Sequence, residues 1–142
     1  MTTNTNSPGW AKIAVLVGRL VFAALFIMAV SFKFADISGT AASIAAAGFP
    51  LPTLLTWLAI VFELGLIAAL LTGAYFSEAA LLAAGYVVFL GFAFHGPSHW
   101  EANQNEIGFF IDHFTFAAGL LFAAAYGPGR VLAMDRGWLT RP

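Results

Sequence analysis

The chain contains no cysteine, and only 9% of its 142 residues are charged. The absence of cysteine excludes disulfide bonds, thiolate metal sites and a cysteine nucleophile, so any redox chemistry needs a bound or borrowed cofactor. A net charge of -1, without a run of like charges, excludes a basic nucleic-acid surface. Soluble domains carry about 25% charged residues, because their surface faces water. Lipid must therefore cover part of this molecule.

Hydrophobic residues make up 61% of the chain and fall into four long runs. A helix needs about 20 apolar residues to cross the hydrocarbon of a bilayer. Four segments meet this requirement, and they predict transmembrane spans at 11–34, 53–72, 77–94 and 107–126. Gly, Ala and Ser are abundant within the runs. Small residues let helices approach closely where lipid offers no hydrophobic drive for association, so a compact bundle is favoured.

The connections between the spans complete the predicted architecture. The Ala-rich stretch 40–47 is too short to span and ends at 48–50 (Gly-Phe-Pro), so it predicts a short interfacial or re-entrant helix. The tight turn 72–75 makes the second and third spans an antiparallel hairpin. The sequence thus predicts an all-α integral membrane four-helix bundle of antiparallel hairpins. We expect a polar N-terminal tail, a single transmembrane domain and a C-terminal tail, over 1–10, 11–126 and 127–142.

The basic residues indicate an orientation in the membrane, because Lys and Arg concentrate on the cytoplasmic side. Five of the six lie at the start of the first span or in the tail: Lys12, Arg19, Arg130, Arg136 and Arg141. The sixth, Lys33, lies at the far end of the first span. An even number of spans puts both termini on one side. We therefore expect the N and C termini to be cytoplasmic.

Two charged residues lie inside the predicted spans. Arg19 is about eight residues into the first span and Glu63 about ten residues into the second from the opposite side, so their depths are roughly 12 and 15 Å. A charge near a helix centre costs about 2.5 to 3.5 kcal/mol on insertion scales, so such residues are usually paired or functional. We predict an Arg19–Glu63 ion pair in the core, which either locks two helices together or builds a ligand or proton site.

Further polar residues gather toward the far side of the bundle. Lys33 can extend its charged end to the interface, and Asp36 is a candidate partner. In the fourth span, small and polar residues recur on one helical face: Gly108, Asp112, Thr115 and Gly119. We expect this face to point inward, with Asp112 within reach of Lys33 and His113 on the adjacent face. Lys33, Asp112 and His113 are thus the candidate cofactor-binding residues.

Histidines on the same side raise the question of a metal site, since imidazole and carboxylate groups bind zinc, copper and iron. His95 and His99 are the candidates. However, Gly96 and Pro97 interrupt the i, i+4 spacing that a rigid helix would give them, and the loop carries no standard metal motif. The sequence therefore favours interfacial histidines with ordinary hydrogen-bond partners, and we assign no metal.

Several short motifs, in order and sensibly spaced, resemble the DoxX family. They are Gly18-Arg19-Leu20-Val21-Phe22 with Lys33-Phe34, Glu63-Leu64-Gly65 with Leu70-Leu71-Thr72-Gly73, Phe94-His95 with His99-Trp100, and Gly127-Pro128-Gly129-Arg130 with Met134-Asp135-Arg136. The resemblance covers residues 17 to 136. It departs from the family at Ala133-Met134-Asp135, where Ser-Leu-Asp is usual, and at Asp112-His113, where related members often carry Lys-Asn.

The resemblance implies a small four-span inner-membrane protein of the kind associated with membrane oxidoreductase systems, including a subunit type linked to thiosulfate and quinone. We accordingly expect an accessory subunit near the quinone pool, with a protein partner or a second copy of itself. The sequence has no flavin, iron–sulfur or haem motif, so electrons must come from a partner. In this interpretation Arg19 stabilises a developing quinol anion and Glu63 exchanges the proton.

Two alternatives stay open. The chain can be a structural or assembly subunit of a larger membrane complex, without chemistry of its own. It can also be a small binder or transporter of an apolar molecule, although it lacks the pair of broken helices that many transporters carry in matching positions.

Overall fold

The structure, a computed structural model, describes residues 8–134 and 136–139. In these residues the chain forms five α-helices and one 3₁₀ turn: α1 Gly9–Ala35, α2 Ile37–Ala46, α3 Pro52–Thr72, α4 Phe76–His95, the turn Pro97–His99, and α5 Asn105–Tyr126. The helices α1, α3, α4 and α5 are long and apolar enough to cross a membrane. The four predicted spans and the short helix between the first two are confirmed. Most of the predicted polar tail (1–7), Asp135 and Arg141 lie outside the described residues.

Local signals set the ends of the helices. The carboxylate of Asp36 caps α2 by accepting a hydrogen bond of 2.8 Å from the backbone N–H of Gly39. Pro52 opens α3 at a first-turn position, where a backbone N–H has no helical partner. Gly73 ends α3 with a φ of 78°, which favours glycine. A Cβ at Gly73 would lie 2.9 Å from that of Ala133, so the turn also leaves room for the C-terminal segment.

The long helices pack in two pairs, α1 along α3 and α4 along α5, and α2 lies against α3. Alanines fill much of the interface, and Ala23, Ala80 and Ala83 are fully buried. Their small side chains allow close helix contact. On the outer faces large apolar side chains are exposed, including Phe122 at 79%. Such a surface suits contact with lipid rather than with water.

The helices α3 and α4 are joined by the tight turn at Gly73 but contact each other less than either contacts its packing partner. Near the turn, Leu70 and Phe76 are buried together in the core. Farther along, apolar residues of both helices line a cavity that separates them. The predicted hairpin is therefore present, but its two arms diverge away from the turn.

The C-terminal segment, described at 127–134 and 136–139, folds back over one end of the bundle. The backbone N–H of Met134 donates to the carbonyl of Thr72 at 2.8 Å, and that of Tyr75 donates to Arg136 at 2.6 Å. The Glu78 carboxylate accepts hydrogen bonds from the backbone of Trp138 and of the following residue. We call this end, where α1 starts and α5 stops, the terminal end. The opposite end, with α2 and the loop 96–104, is the loop end.

Candidate functional site

Three polar side chains from three different helices meet inside the bundle. The Nζ of Lys33 (α1) lies 2.9 and 3.0 Å from the two carboxylate oxygens of Glu63 (α3). The hydroxyl of Tyr86 (α4) donates to Glu63 at 2.7 Å. Only 1% of the Glu63 side chain is exposed, against 18% for Lys33. These three residues, the buried triad, satisfy the carboxylate with one charged and one neutral donor, as a buried carboxylate requires.

The predicted Arg19–Glu63 ion pair is wrong, because α1 and α3 are offset along their axes. Lys33 is level with Glu63, and Arg19 precedes Lys33 by 14 residues, roughly 21 Å of helix. The Thr72 end of α3 is only nine residues, roughly 14 Å, beyond Glu63. Arg19 therefore lies beside the Gly73 turn rather than opposite Glu63.

Arg19 is 2% exposed and binds the backbone that follows α5. Its Nη1 donates to the carbonyl of Pro128 at 2.9 Å, and its Nη2 donates to those of Val131 and Leu132 at 3.3 and 2.6 Å. These carbonyls lie just past the C terminus of a helix, where a cation is electrostatically favoured. The side chain that the sequence analysis placed at the centre of the site thus holds the C-terminal segment instead.

A cavity of about 640 Å³ opens beside the buried triad, between α2, α3, α4 and α5. Its apolar walls consist of Ile44, Phe49, Leu55, Leu58, Ala59, Phe62, Phe89, Leu90 and Phe94. Leu58 and Phe89 are also exposed on the outer surface, so the cavity reaches the lipid side between α3 and α4. Its size and its mostly apolar lining are those of a small-molecule site.

The polar lining of this cavity is confined to a few groups. Lys33 and Tyr86 belong to the buried triad, whereas His95 and His113 lie toward the loop end. Thr40 and Ser43 of α2 also line it, but their hydroxyls donate to carbonyls of their own helix segment. At the triad, the third N–H of Lys33 makes only a long contact of 3.4 Å with the carbonyl of Ala29. The hydrogen-bonding groups that remain for a ligand are therefore on Lys33 and the two histidines.

Both histidines are held through their Nδ1 atoms. The Nδ1 of His113 donates to the carbonyl of Phe109 at 2.7 Å, and the Nδ1 of His95 lies 2.5 Å from a Glu106 carboxyl oxygen. The imidazole rings are 5.0 Å apart. With Nδ1 engaged in each ring, Nε2 is the nitrogen left for another partner. Gly91 of α4 makes this arrangement possible, since a Cβ there would lie 3.0 Å from that of His113.

The structure brings Lys33 and His113 to one cavity but leaves the third candidate, Asp112, exposed on α5. The expectation that the face with Gly108, Asp112, Thr115 and Gly119 points inward is wrong for the first three, which are exposed. Only Gly119 packs inward, where a Cβ would lie 3.1 Å from the ring of Phe22, and the residues that α5 buries are Ala117, Leu120 and Ala124. The rings of Phe22 and Phe116 pack at 5.3 Å on that inner side, and burying such rings outweighs burying small polar residues.

The structure also differs from the sequence predictions for Lys33 with Asp36 and for His99. Asp36 caps α2 and does not pair with Lys33, which turns inward to Glu63 instead of extending to the interface. His99 lies in the 3₁₀ turn and does not line the cavity. Among residues 8–134 and 136–139, no three His, Asp or Glu side chains converge into a group suited to a metal ion.

Tyr86 is the site residue that sequence reasoning missed. It lies in the apolar run of α4, between Gly85 and Val87. A tyrosine hydroxyl buried in such a run needs a hydrogen-bond partner, and the one ionisable residue within the preceding span is Glu63. The sequence therefore contained a signal that pairs Tyr86 with Glu63. It contained none for the cavity, which arises only from the divergence of α3 and α4.

Comparison with known proteins agrees with this architecture. The DoxX family model matches residues 14–96, more than half of the chain and the part that holds the buried triad. Inner membrane protein YqjF of Escherichia coli (strain K12) is 32% identical over 124 residues, which cover 87% of this chain and 91% of that protein. No solved structure matches the chain. The chain therefore belongs to the DoxX family of membrane proteins.

Proposed function

We propose that this protein is an accessory inner-membrane subunit of a quinone-linked oxidoreductase system, and that its larger cavity binds the quinone ring. The observation that carries the proposal is the separation of the polar groups in that cavity. One set belongs to the buried triad, the other consists of His95 and His113, and apolar walls lie between them. A quinone ring is flat and apolar and carries an oxygen at each of two opposite edges, so it matches this pattern.

The distance between the two polar sets supports a ligand of ring size. His113 is level with Gly91, because a Cβ at Gly91 would touch it. Gly91 follows Tyr86 by five residues, roughly 7.5 Å along α4. A quinol ring can accept from Lys33 at one edge and donate to Nε2 of His113 at the other, because Nδ1 of His113 carries the proton that Phe109 accepts. The opening between α3 and α4 would let such a ligand enter from the bilayer, where quinones are dissolved.

Each polar set has a chemical role in this proposal. Reduction of a quinone to a quinol takes two electrons and two protons, and the electrons come from a redox partner protein. The Lys33 ammonium would stabilise the oxygen that gains negative charge, the role that the sequence analysis gave to Arg19. Glu63 holds Lys33 in position. His95, whose Nδ1 adjoins Glu106 near the loop end, would exchange protons with the aqueous side.

A ligand series tests the proposal. In purified protein under anaerobic conditions, we expect the quinol 1,4-dihydroxynaphthalene to bind about tenfold more tightly than 1-naphthol, which lacks the second hydroxyl, because one hydrogen bond in a buried site is worth about 1.4 kcal/mol. The chain has no cysteine for a quinone to alkylate. His113→Phe removes the partner of the second oxygen, so the two affinities should then converge. Isothermal titration calorimetry measures both.

His99→Phe is the matched control, since His99 does not line the cavity, and it should preserve the tenfold difference. Absence of binding by either compound would overturn the quinone proposal and favour a structural or assembly subunit. Uptake of an apolar solute by proteoliposomes, without selectivity for the second oxygen, would favour a transporter.

We also propose that the terminal end faces the cytoplasm, because four of the five basic residues that the structure describes belong to that end: Lys12, Arg19, Arg130 and Arg136. The cysteine-free chain allows a direct test with single-cysteine variants. A membrane-impermeant maleimide should label an Ala102→Cys variant in intact cells. It should label a Leu139→Cys variant only after the membrane is permeabilised. The reverse pattern would invert the topology.

A further inference from the structure

Arg19 retains hydrogen-bonding capacity that its protein partners do not use. A guanidinium group carries five N–H donors, and the described residues provide three acceptors, all of them backbone carbonyls. The Nε N–H has no acceptor in the part of the chain that the structure describes. The ion pairs formed there involve Lys33 and His95, not Arg19. Within residues 8–134 and 136–139, the positive charge of this buried side chain is thus met only by carbonyl dipoles.

A second cavity, of about 330 Å³, lies against Arg19 at the terminal end of the bundle. Its aromatic walls are contributed by Phe22, Phe76, Phe122 and Tyr126, with Val15, Gly18, Ala123 and Gly127 completing the lining. Phe122 and Tyr126 are exposed on the outer surface, so this cavity also reaches the lipid side. It shares no lining residue with the larger cavity.

The level of Arg19 along the bundle indicates what kind of molecule could enter. Arg19 lies beside the Gly73 turn, where α3 ends and α4 begins. A turn between two membrane-crossing helices is located near the boundary between hydrocarbon and headgroups. Arg19, the basic residue of the lining, is thus at the height of lipid headgroups, whereas Phe22 and Phe122 lie farther into the bundle, toward the acyl chains.

We propose that this second cavity binds an anionic amphiphile of the bilayer, with its carboxylate or phosphate on Arg19 and its apolar chain along the aromatic walls. An acidic group would supply the charge that the carbonyls cannot, and a desolvated guanidinium without an anion is unfavourable. Guanidinium is also the side-chain group best suited to carboxylates and phosphates. A neutral ligand would not provide Arg19 with a counter-ion, so the site should bind acidic ligands more tightly than neutral ones.

Gly18→Leu is the variant that tests this site without touching Arg19. Gly18 lines the cavity, and no heavy atom lies within 4 Å of a Cβ there, so we expect a leucine at this position to extend into the cavity. Gly65→Leu is the matched control, because Gly65 is equally open and lines neither cavity. Both substitutions place a leucine in the middle of a long helix, so general effects on folding are shared.

Thermal unfolding in a neutral detergent gives the readout, with oleate as probe and oleyl alcohol as its uncharged counterpart. Oleate at saturating concentration should raise the Tm of the wild type and of Gly65→Leu by about 3 °C or more, and leave that of Gly18→Leu unchanged. Oleyl alcohol should have no effect on any of them. An equal response to both probes, or a full response in Gly18→Leu, would overturn the proposal.

A second arm identifies the source of the acidic group. The Tm is compared in nanodiscs of phosphatidylglycerol and of phosphatidylcholine, with the same acyl chains. A rise in phosphatidylglycerol that Gly18→Leu abolishes assigns the site to an anionic phospholipid, and a rise with oleate alone assigns it to a fatty acid. No rise with either acidic probe would overturn the proposal. These outcomes are independent of quinol binding in the larger cavity, because the two cavities share no lining residue.

Discussion

Replacing Lys33 by methionine is expected to destabilise the folded protein by about 3 kcal/mol, because it leaves the buried Glu63 carboxylate without its cation. This value is at the lower end of the range for a buried pair, since Lys33 retains some exposure. Methionine preserves the length and volume of the lysine stem, so packing changes little. Reversible unfolding in mixed micelles, followed by circular dichroism, measures the change in the free energy of unfolding.

The partner substitution distinguishes an ion pair from simple packing. Glu63→Gln removes the negative charge but keeps an oxygen that accepts from Tyr86. Combined with Lys33→Met, it should restore most of the lost stability, because no isolated charge is left inside the bundle. Lys12→Met, at the exposed start of the same helix, is the control and should have little effect. A double variant no more stable than Lys33→Met would show that the pair does not contribute as an ion pair.

Replacing Arg19 by leucine should release the C-terminal segment from the bundle. The three carbonyls of Pro128, Val131 and Leu132 lose their common donor. Hydrogen bonds to a charged group contribute about 1.5 to 3 kcal/mol each, so the loss of two of the three already costs about 3 kcal/mol or more. Hydrogen–deuterium exchange at Met134, whose N–H is bonded to Thr72, should become at least about 100-fold faster.

Two comparisons make this expectation specific. Arg19→Lys keeps the charge but has a single nitrogen, which cannot span three carbonyls, so exchange should accelerate to an intermediate degree. Arg130→Leu changes an exposed arginine of the same segment and should leave exchange as in the wild type. If the amide of Met134 stays equally protected in Arg19→Leu, the segment is held by its backbone contacts and by Glu78 rather than by Arg19.

Lys33 and Arg19 lie on the same helix and carry the same charge, yet they serve different ends of the molecule. Lys33 ties α1 to α3 and α4 and borders the larger cavity. Arg19 ties α1 to the segment that follows α5 and borders the smaller one. Each of these two cations thus lines a cavity that reaches the lipid side. The two proposals, a quinone at the loop end and an acidic amphiphile at the terminal end, can be tested separately for this reason.

The amino-acid sequence by itself determined the secondary-structure elements, their caps and the turn at Gly73. A hydrocarbon layer needs about 20 apolar residues per helix, and four runs of that length can only be spans in a chain with so few charges. The short helix was equally evident, because 40–47 is apolar and is closed by a Gly-Phe-Pro stop. Capping at Asp36 and the glycine turn at Gly73 follow local rules that operate within a few residues. All these features depend on neighbours in sequence.

The tertiary structure alone decided how the elements stand against one another. Hydrophobic periodicity fixes which face of a helix is apolar but not how far that helix slides along its neighbour. The offset of α1 against α3 therefore paired Glu63 with Lys33 and not with Arg19. The rotation of α5, which left Asp112 exposed, was set by the rings packed on its other face. The cavities exist because α3 and α4 diverge from their turn and the C-terminal segment folds back, and both depend on contacts between residues far apart in the chain.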